Sequence, residues 1–482
     1  LRSRKHWDLA LSQPRDQIIR QARESELSPQ VIGISHRRVP RKIFSPVGLL
    51  LNGFILLSIL GGFILCFPFA SNTGTFTSLD TSFFTAISAV TVTGHTVVST
   101  STYWSPFGQL IIFLLMLVGG LGFMVLATFL LMLMGGRSTL EERLLMRDFM
   151  RDTVGIDHLR EINRVGRRVI LIVFVIYILG AAGIFLQLNP LNGINTLQDI
   201  WHSLFLSVSS FNNAGLNILP EAGDGSSLTR FAENPIFLII PTLLIMFGGL
   251  GWLVLVDLYK NHKFSRFNLN TKLVIVTSIF LWGFGLFFLL VGESFNPDTL
   301  GQLNWTDKIM NAIFGSVSGR TAGFVTIDFA DVTTPTKLIF SILMFIGGGA
   351  GSVAGGIKVA TFGLIVASVI SALKGRSEVE AFGRQINPAQ FYRAITVALL
   401  GLGLIIITTP VLTLTDPNMP FVDLLFDTVS AFGTTGTSTG VAGDLSVSGK
   451  CIFMVAMLVG RLGPVALALT ISEYGRGTNY RF

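Results

Sequence analysis

Charge is scarce in this chain. Only 13% of its 482 residues are charged and 50% are hydrophobic, which is too apolar for a soluble domain of this size. Cysteine is scarcer still, because Cys66 and Cys451 are the only two and both lie inside apolar stretches. We interpret them as packing residues. A disulfide scaffold and a cysteine-based metal centre are therefore excluded as the basis of the fold.

Lysine and arginine are missing from two long segments, residues 70–106 and 416–449. Basic residues concentrate instead in the N-terminal arm and after the second, fourth and sixth apolar stretches. The positive-inside rule then predicts that both termini and these connections lie in the cytoplasm. The net charge of +7 follows from this bias, with contact to anionic lipid headgroups as the alternative, and does not indicate nucleic acid.

Eight apolar stretches are long enough to cross a bilayer, which takes about 20 helical residues. The sixth is interrupted by the glycine-rich sequence Gly347–Gly356. The sequence therefore predicts a polytopic α-helical membrane protein with one broken span. The stretches are 46–69, 107–134, 169–188, 235–257, 271–291, 337–372, 394–415 and 450–472.

One short sequence recurs four times, always between two apolar stretches. Each copy begins with phenylalanine, contains serine and ends with glycine: Phe84–Gly94, Phe205–Gly215, Phe314–Gly323 and Phe426–Gly436. A second glycine signature follows each copy: Gly119–Gly122, Gly248–Gly251, Gly348–Gly351 and Gly460–Gly463. Fourfold repetition of span, short piece and span predicts four parallel units around one central pore.

These repeats divide the chain into eight parts. We predict an all-α protein with a cytoplasmic basic arm, four repeats, two cytoplasmic links and a cytoplasmic tail. In order they are arm 1–45, repeat 1 at 46–136, link 137–168, repeat 2 at 169–260, repeat 3 at 261–373, link 374–393, repeat 4 at 394–474 and tail 475–482.

The short piece of each repeat is too short to cross the hydrocarbon but has a helical pattern. Each has an aspartate near its start, which we expect to act as a helix N-cap: Asp80, Asp199, Asp307 and Asp423. Non-helical backbone after such a helix is tolerated at membrane depth only where it lines protein or water. Four such segments could replace the hydration shell of a cation with carbonyl and threonine oxygens.

The candidate filter segments are therefore the four residues that end each copy. The third copy is one residue shorter, so we expect its segment or its helix to adjust. The residues are Thr91, Val92, Thr93 and Gly94; Asn212, Asn213, Ala214 and Gly215; Arg320, Thr321, Ala322 and Gly323; and Gly433, Thr434, Thr435 and Gly436.

Taken together, these motifs resemble the Trk/Ktr/HKT superfamily of potassium transporters over residues 46 to 472, notably in Ser318–Gly323 and Gly347–Lys358. The resemblance is closest to the Ktr-type (KtrB-like) membrane subunit, since a basic arm stands where a Trk-type chain would have two extra spans. It implies K⁺ as the transported ion at the filter residues, with Na⁺ as a second candidate ion. It also implies a homodimer in the plasma membrane and a cytosolic nucleotide-binding regulatory ring (KtrA-like), with no nucleotide site on this chain.

The resemblance also implies a gate below the filter, made of a loop across the ion path and a positive barrier. Arg461, an ionisable residue in mid-span, should face the pore or a partner, because a charge at that depth costs at least about 2.5 kcal/mol. The alternatives are that Arg461 ties backbone carbonyls together and that the loop only packs closely against another span. The implied gate residues are Gly347, Gly348, Gly349, Ala350, Gly351, Ser352, Gly355, Gly356 and Arg461.

Two residues beside these motifs have open roles. His95 follows the first filter glycine, and we expect it to face the outer mouth, with proton sensing as the alternative. Lys358 ends the glycine-rich stretch, and we expect it to anchor at the inner boundary.

Two other classes of protein fit less well. A sodium-coupled symporter would usually have inverted repeats and an asymmetric site, and an intramembrane enzyme would need convergent catalytic groups in its spans. The sequence therefore predicts potassium uptake without enzymatic activity, and a sodium-coupled or sodium-conducting transporter of the same fold stays open as the alternative.

Overall fold

The computed structural model describes residues 46–134, 159–192, 196–220, 228–376 and 378–463. The chain divides into two units, Leu1–Ile43 and Phe44–Phe482, and the described residues belong to the second. The predicted arm (1–45), the tail (475–482) and residues 137–158 of the first link lie outside the described residues.

Helices make up nearly all of the described structure. Fifteen α-helices are described: α1 Pro46–Cys66, α2 Leu79–Thr91, α3 Pro106–Met134, α4 Leu159–Asn192, α5 Thr196–Phe211, α6 Pro235–Leu250, α7 Trp252–Lys260, α8 Leu269–Glu293, α9 Trp305–Thr321, α10 Thr334–Phe345, α11 Val359–Leu373, α12 Pro388–Thr415, α13 Phe421–Gly433, α14 Val441–Asp444 and α15 Val447–Leu462. Two short strands, β1 Glu380–Ala381 and β2 Arg384–Gln385, pair antiparallel between α11 and α12.

Long apolar helices lie where the sequence predicts spans. Among the described residues, Ile170–Leu188, Leu269–Glu293 and Gln390–Thr415 are each long and apolar enough to cross a membrane. Shorter apolar helices, such as Leu51–Cys66 and Pro106–Gly120, occupy other predicted spans. Their outward faces are apolar, as at Leu56 and Leu179, which are 57% and 67% exposed. Such faces are expected where a helix meets lipid.

The fourth predicted span is not one straight helix. Helices α6 and α7 meet at a bend of 92°, at Gly251, whose φ is +85°. The expectation of a continuous span over 235–257 is wrong, because the positive φ at Gly251 interrupts the helix. Glycine adopts such a conformation far more readily than other residues. The sixth stretch is broken as well, since α10 ends at Phe345 and α11 begins at Val359.

The short piece of each repeat forms a buried helix: α2, α5, α9 and α13. The phenylalanine that opens each copy is fully buried in all four: Phe84, Phe205, Phe314 and Phe426. The aspartates lie inside the first turn rather than at the N-cap, which is Ser78 in α2 and Pro420 in α13. The capping expectation is therefore wrong, although a carboxylate in the first turn still lies near the positive end of the helix dipole.

Polar contacts join each short helix to the repeat before it. The four contacts are Trp201 Nε1 to Gln109 Oε1 (3.4 Å), Asn311 Nδ2 to Ala232 O (2.6 Å), Lys337 Nζ to Asp423 Oδ1 (2.8 Å) and Lys450 Nζ to Asp80 Oδ2 (2.8 Å). They link repeat 1 to 2, 2 to 3, 3 to 4 and 4 to 1. The four repeats therefore close into a ring.

Candidate functional site

Each of the four glycines that end the candidate filter segments lies against the next segment. A Cβ on any of them would overlap a carbonyl oxygen of the neighbouring segment: Gly94 against Ala214, Gly215 against Ala322, Gly323 against Thr435 and Gly436 against Thr93. Their φ angles are +89°, +66°, +75° and +86°. Only glycine combines this left-handed conformation with so close an approach. The structure thus brings the four predicted segments into one closed set of backbone contacts.

Three of the four segments share a second left-handed residue, two positions before the glycine. These residues are Val92 (φ +57°), Asn213 (+54°) and Thr434 (+48°). In the shorter third segment the helix continues to Thr321, and Ala322 has a φ of −123°. The third segment therefore lacks the left-handed residue, so the expected adjustment of the segment or its helix is found at Thr321 and Ala322.

A buried serine in each short helix holds the segment that follows, a role that the sequence analysis missed. The four carbonyl contacts are Thr93 N to Ser88 O, Ala214 N to Ser209 O, Gly323 N to Ser318 O and Thr435 N to Ser430 O, at 2.8 to 3.0 Å. The hydroxyls of Ser88 and Ser430 also accept from the glycine N–H of Gly94 and Gly436, both at 3.1 Å. The signal was available, because each serine stands four residues after the repeated phenylalanine.

The second glycine signature provides room for the short helices to approach the following span. A Cβ on its first glycine would overlap a carbonyl oxygen near the end of the short helix: Gly119 against Val90, Gly248 against Phe211 and Gly460 against Phe432. In repeat 3 the span is broken at this point, and Gly348 instead lies against the carbonyl oxygen of Gly249 in repeat 2. The signature therefore marks close helix packing in repeats 1, 2 and 4, and a contact with repeat 2 in repeat 3.

The side chains of both asparagines in the second candidate segment are hydrogen-bonded to neighbouring elements. Asn212 Oδ1 accepts from the Tyr177 hydroxyl at 2.7 Å, and Asn212 Nδ2 donates to Met116 O at 3.4 Å. With its amide oriented to satisfy its neighbours, Asn213 donates to Ile245 O (3.2 Å) and accepts from Thr321 Oγ1 (3.0 Å). Both side chains thus hold their segment in place, leaving its backbone oxygens as the candidate ligands.

Arg320 lies in the third segment, but its side chain runs towards the glycine-rich loop Gly347–Gly356. The residue is 1% exposed, and its Nη1 is 3.5 Å from Gly347 O. Its guanidinium carbon lies 5.5 Å from the Trp282 ring centroid, a separation typical of cation–π contact. Its own carbonyl oxygen accepts from Thr435 Oγ1 at 3.1 Å, so Arg320 joins segments three and four through its backbone.

The glycine-rich loop is buried and closed at its neck. Gly347 N–H donates to Ile357 O at 2.9 Å, and Ile357 N–H donates to Phe345 O at 3.3 Å. A Cβ on Gly347 would overlap the Gly355 carbonyl oxygen, so the two sides of the neck are in direct contact. Lys358 Nζ donates to Ala354 O at 2.7 Å, which ties the end of the loop to itself.

The tip of the loop reaches the other repeats. Gly349 N–H donates to Gly249 O at 2.8 Å, beside the bend of repeat 2. Arg461, in repeat 4 and 4% exposed, donates from Nη1 to Val353 O and from Nη2 to Gly119 O, the latter at 2.7 Å. These contacts are those that the backbone-tie interpretation of Arg461 requires. They join the loop to repeats 1, 2 and 4.

His95 does not face an open mouth. It is 1% exposed, and its ring packs edge-on against Phe453 with centroids 5.7 Å apart. The expectation from the sequence is wrong, because α15 covers the first segment at this point.

Three comparisons with known proteins bear on this geometry. A family model described as cation transport protein, TrkH, matches residues 54–477. The chain belongs to this family. A transporter was expected rather than an enzyme, and membership of the TrkH family confirms that expectation, together with the multi-pass membrane character.

Individual relatives are similar over nearly their whole length. The Ktr system potassium uptake protein B of Bacillus subtilis is 35% identical over 431 residues, which is 89% of this chain and 94% of that protein. The potassium/sodium uptake protein NtpJ of Enterococcus hirae is 33% identical over 455 residues, covering 93% and 98%. The crystal structure of the potassium transporter TrkH from Vibrio parahaemolyticus matches with a TM-score of 0.68 at 19% identity, over 90% of this chain and 86% of that one. This last likeness shows the TrkH-like fold.

Proposed function

We propose that this TrkH-family chain takes up K⁺ across the plasma membrane through the four filter segments. The observation that carries the proposal is the ring of glycine-to-carbonyl contacts from Gly94 to Ala214 and onward to Gly436 and Thr93. Such a ring can surround a dehydrated cation with backbone oxygens, which is how potassium filters replace the hydration shell.

The names of two relatives support K⁺ as the transported ion, and one of them also names sodium. The Bacillus subtilis relative is named a potassium uptake protein, and the Enterococcus hirae relative a potassium/sodium uptake protein. Sodium transport or sodium coupling is therefore the second candidate function.

We further propose that the loop Gly347–Gly356, together with Arg461, forms a gate on the ion path. The buried position of the loop and its contacts with repeats 1, 2 and 4 support this role. A buried guanidinium beside the path would repel a passing cation, and a partner could shift the loop by favouring one of two positions.

We propose a homodimer with both termini in the cytoplasm, regulated by a cytosolic ring of nucleotide-binding subunits. The bias of basic residues supports the orientation, and the likeness to a Ktr system subunit supports the regulatory partner.

Uptake of ⁸⁶Rb⁺ into proteoliposomes containing the purified chain tests the proposal directly. We expect uptake that unlabelled K⁺ competes away and that protein-free liposomes lack. Comparison with and without a Na⁺ gradient separates sodium coupling from uncoupled K⁺ flow. Absence of any K⁺-competable uptake by folded protein would contradict the proposed function.

A further inference from the structure

The hydroxyl of Thr434 contacts the glycine-rich loop. Thr434 is the left-handed residue of the fourth filter segment and is fully buried. Its Oγ1 accepts a hydrogen bond of 2.9 Å from the Gly355 N–H. A Cβ on Gly355 would overlap the Thr434 side chain, so the two residues fit closely.

The same contact has no counterpart in the other segments. The equivalent left-handed positions hold Val92, which has no polar side-chain atom, and Asn213, whose amide bonds to Ile245 and Thr321. In the third segment the residue two positions before the glycine is Thr321, whose hydroxyl donates to Asn213 instead. The hydrogen bond to the loop is therefore a specific feature of Thr434 rather than a consequence of segment geometry.

The Thr434 contact lies at the neck of the loop, where it opposes displacement of the loop. It lies beside the closed neck, because Gly355 touches Gly347 and Gly356 N–H donates to Gly460 O at 3.3 Å. Any displacement of the neck away from the fourth segment must break the hydrogen bond to Thr434. The buried Gly355 N–H would then lose its acceptor, which costs more than the bond itself contributes.

We propose that Thr434 is a positioning residue that holds the glycine-rich loop against the fourth filter segment, coupling the loop to the filter. This inference rests on the proposed function, since it concerns the proposed gate. We call the hydrogen bond between Gly355 N–H and Thr434 Oγ1 the latch. Loss of the hydroxyl should favour the displaced loop. Removal of one such buried bond changes a two-state ratio by about five- to thirtyfold.

The test substitutes Thr434→Val, for which Val92 at φ +57° shows that valine is accepted at this backbone position. We expect cation flux in proteoliposomes without any cytosolic partner to rise about five- to thirtyfold. Thr434→Ser keeps the acceptor and should raise flux by a much smaller factor than Thr434→Val. Thr434→Ala serves as the second variant if the valine variant does not fold.

Two further measurements separate the latch from a direct ligand role. In a background that lacks residues 350–353, Thr434→Val should raise flux by a much smaller factor than it does in the full chain. A cysteine introduced by Ala350→Cys, with Cys66 and Cys451 replaced, should react faster with a thiol reagent in the valine variant.

Several outcomes would overturn the inference. Flux and labelling equal to wild type in both Thr434→Val and Thr434→Ala would remove the latch. A selectivity change that persists in the loop-deleted background would make Thr434 an ion ligand instead. Wild-type protein without K⁺-competable flux would refute the proposed function, whereas unchanged flux in the variants beside active wild type refutes only the latch.

Discussion

The hydroxyl of Tyr177 donates a hydrogen bond of 2.7 Å to Asn212 Oδ1, joining a membrane-spanning helix to the second candidate filter segment. Tyr177 is 2% exposed and packs edge-on against Phe211. The bond lies wholly inside the protein, so water cannot replace it. The position of the second segment therefore depends on a side chain from α4.

Substitution Tyr177→Phe should lower the preference for K⁺ over Na⁺. The buried Asn212 oxygen loses its donor, at a cost of about 1–3 kcal/mol, and its segment gains freedom. Relative ⁸⁶Rb⁺ and ²²Na⁺ uptake measures the effect. Tyr103→Phe is the matched control, since it also removes a hydroxyl bond, to Thr77 Oγ1 at 3.2 Å. Equal losses of selectivity in both variants would contradict a specific role for Tyr177.

Substitution Gly94→Ser should reduce K⁺ preference more strongly. The added Cβ meets the Ala214 carbonyl oxygen, so the first two segments must move apart and the coordination distances change. Gly74→Ser is the control, because Gly74 has a φ of +64° but no atom within 4 Å of an added Cβ. Unchanged relative K⁺ and Na⁺ fluxes in folded Gly94→Ser protein would place Gly94 outside the filter.

Substitution Arg461→Ala should raise cation flux while leaving selectivity nearly unchanged. A positive charge at about 4 Å repels a cation by about 4 kcal/mol at an effective dielectric constant of about 20. Arg461→Gln separates the two interpretations, because it removes the charge but keeps amide donors for Val353 O and Gly119 O. High flux in both variants supports the barrier, and low flux in the alanine variant with wild-type flux in the glutamine variant supports the backbone tie.

Deletion of residues 350–353 should produce large flux that no longer depends on a cytosolic partner. The deletion removes the tip that Arg461 holds through Val353, so the shortened loop no longer reaches the contacts of the blocked state. Flux must be normalised to the amount of folded protein, and deletion of residues 382–383 at the exposed turn between β1 and β2 is the control. Low flux at normal protein levels would exclude the gate.

Substitution Lys450→Met should lower the thermal stability of the purified protein. Lys450 and Asp80 are only 13% and 19% exposed, and the loss of a charged hydrogen bond at such a site costs about 1–3 kcal/mol. The reversed pair, Lys450→Asp with Asp80→Lys, should recover part of the loss. Arg376→Met, which breaks the more exposed pair with Glu380, should cost less than about 1 kcal/mol. Equal effects of the two methionine variants would contradict the ring-closure role.

The features that the sequence predicted best are those that recur in all four repeats. The phenylalanines, serines and glycines recur because each unit meets the same packing problem, so Phe84 and Phe426 are buried alike. The shorter third copy also predicted an adjustment of its segment or its helix, and the structure shows the change at Ala322. Periodicity and repetition can be read from the sequence, and they were enough to predict the helices of each repeat and the four candidate filter segments.

Contacts between units could not be predicted in the same way. The burial of His95 depends on Phe453 of another repeat, and the bond from Thr434 depends on where Gly355 lies. The bend at Gly251 was equally hidden, since a glycine in an apolar stretch is compatible with a straight helix. Each of these features is set by a neighbour distant in sequence, which composition and spacing do not specify.

Ring closure has a consequence for how the protein is made. Lys450 is 370 residues from its partner Asp80 in sequence, and one buried apolar cluster contains Phe84 of repeat 1 together with Ala431 and Phe453 of repeat 4. N-terminal segments emerge from the ribosome and fold first. Repeats 1 to 3 must therefore wait in the membrane as an open arc until the last repeat is inserted and the circle is complete. Both edges of that arc have a polar side chain uncovered, Asp80 in repeat 1 and Lys337 in repeat 3.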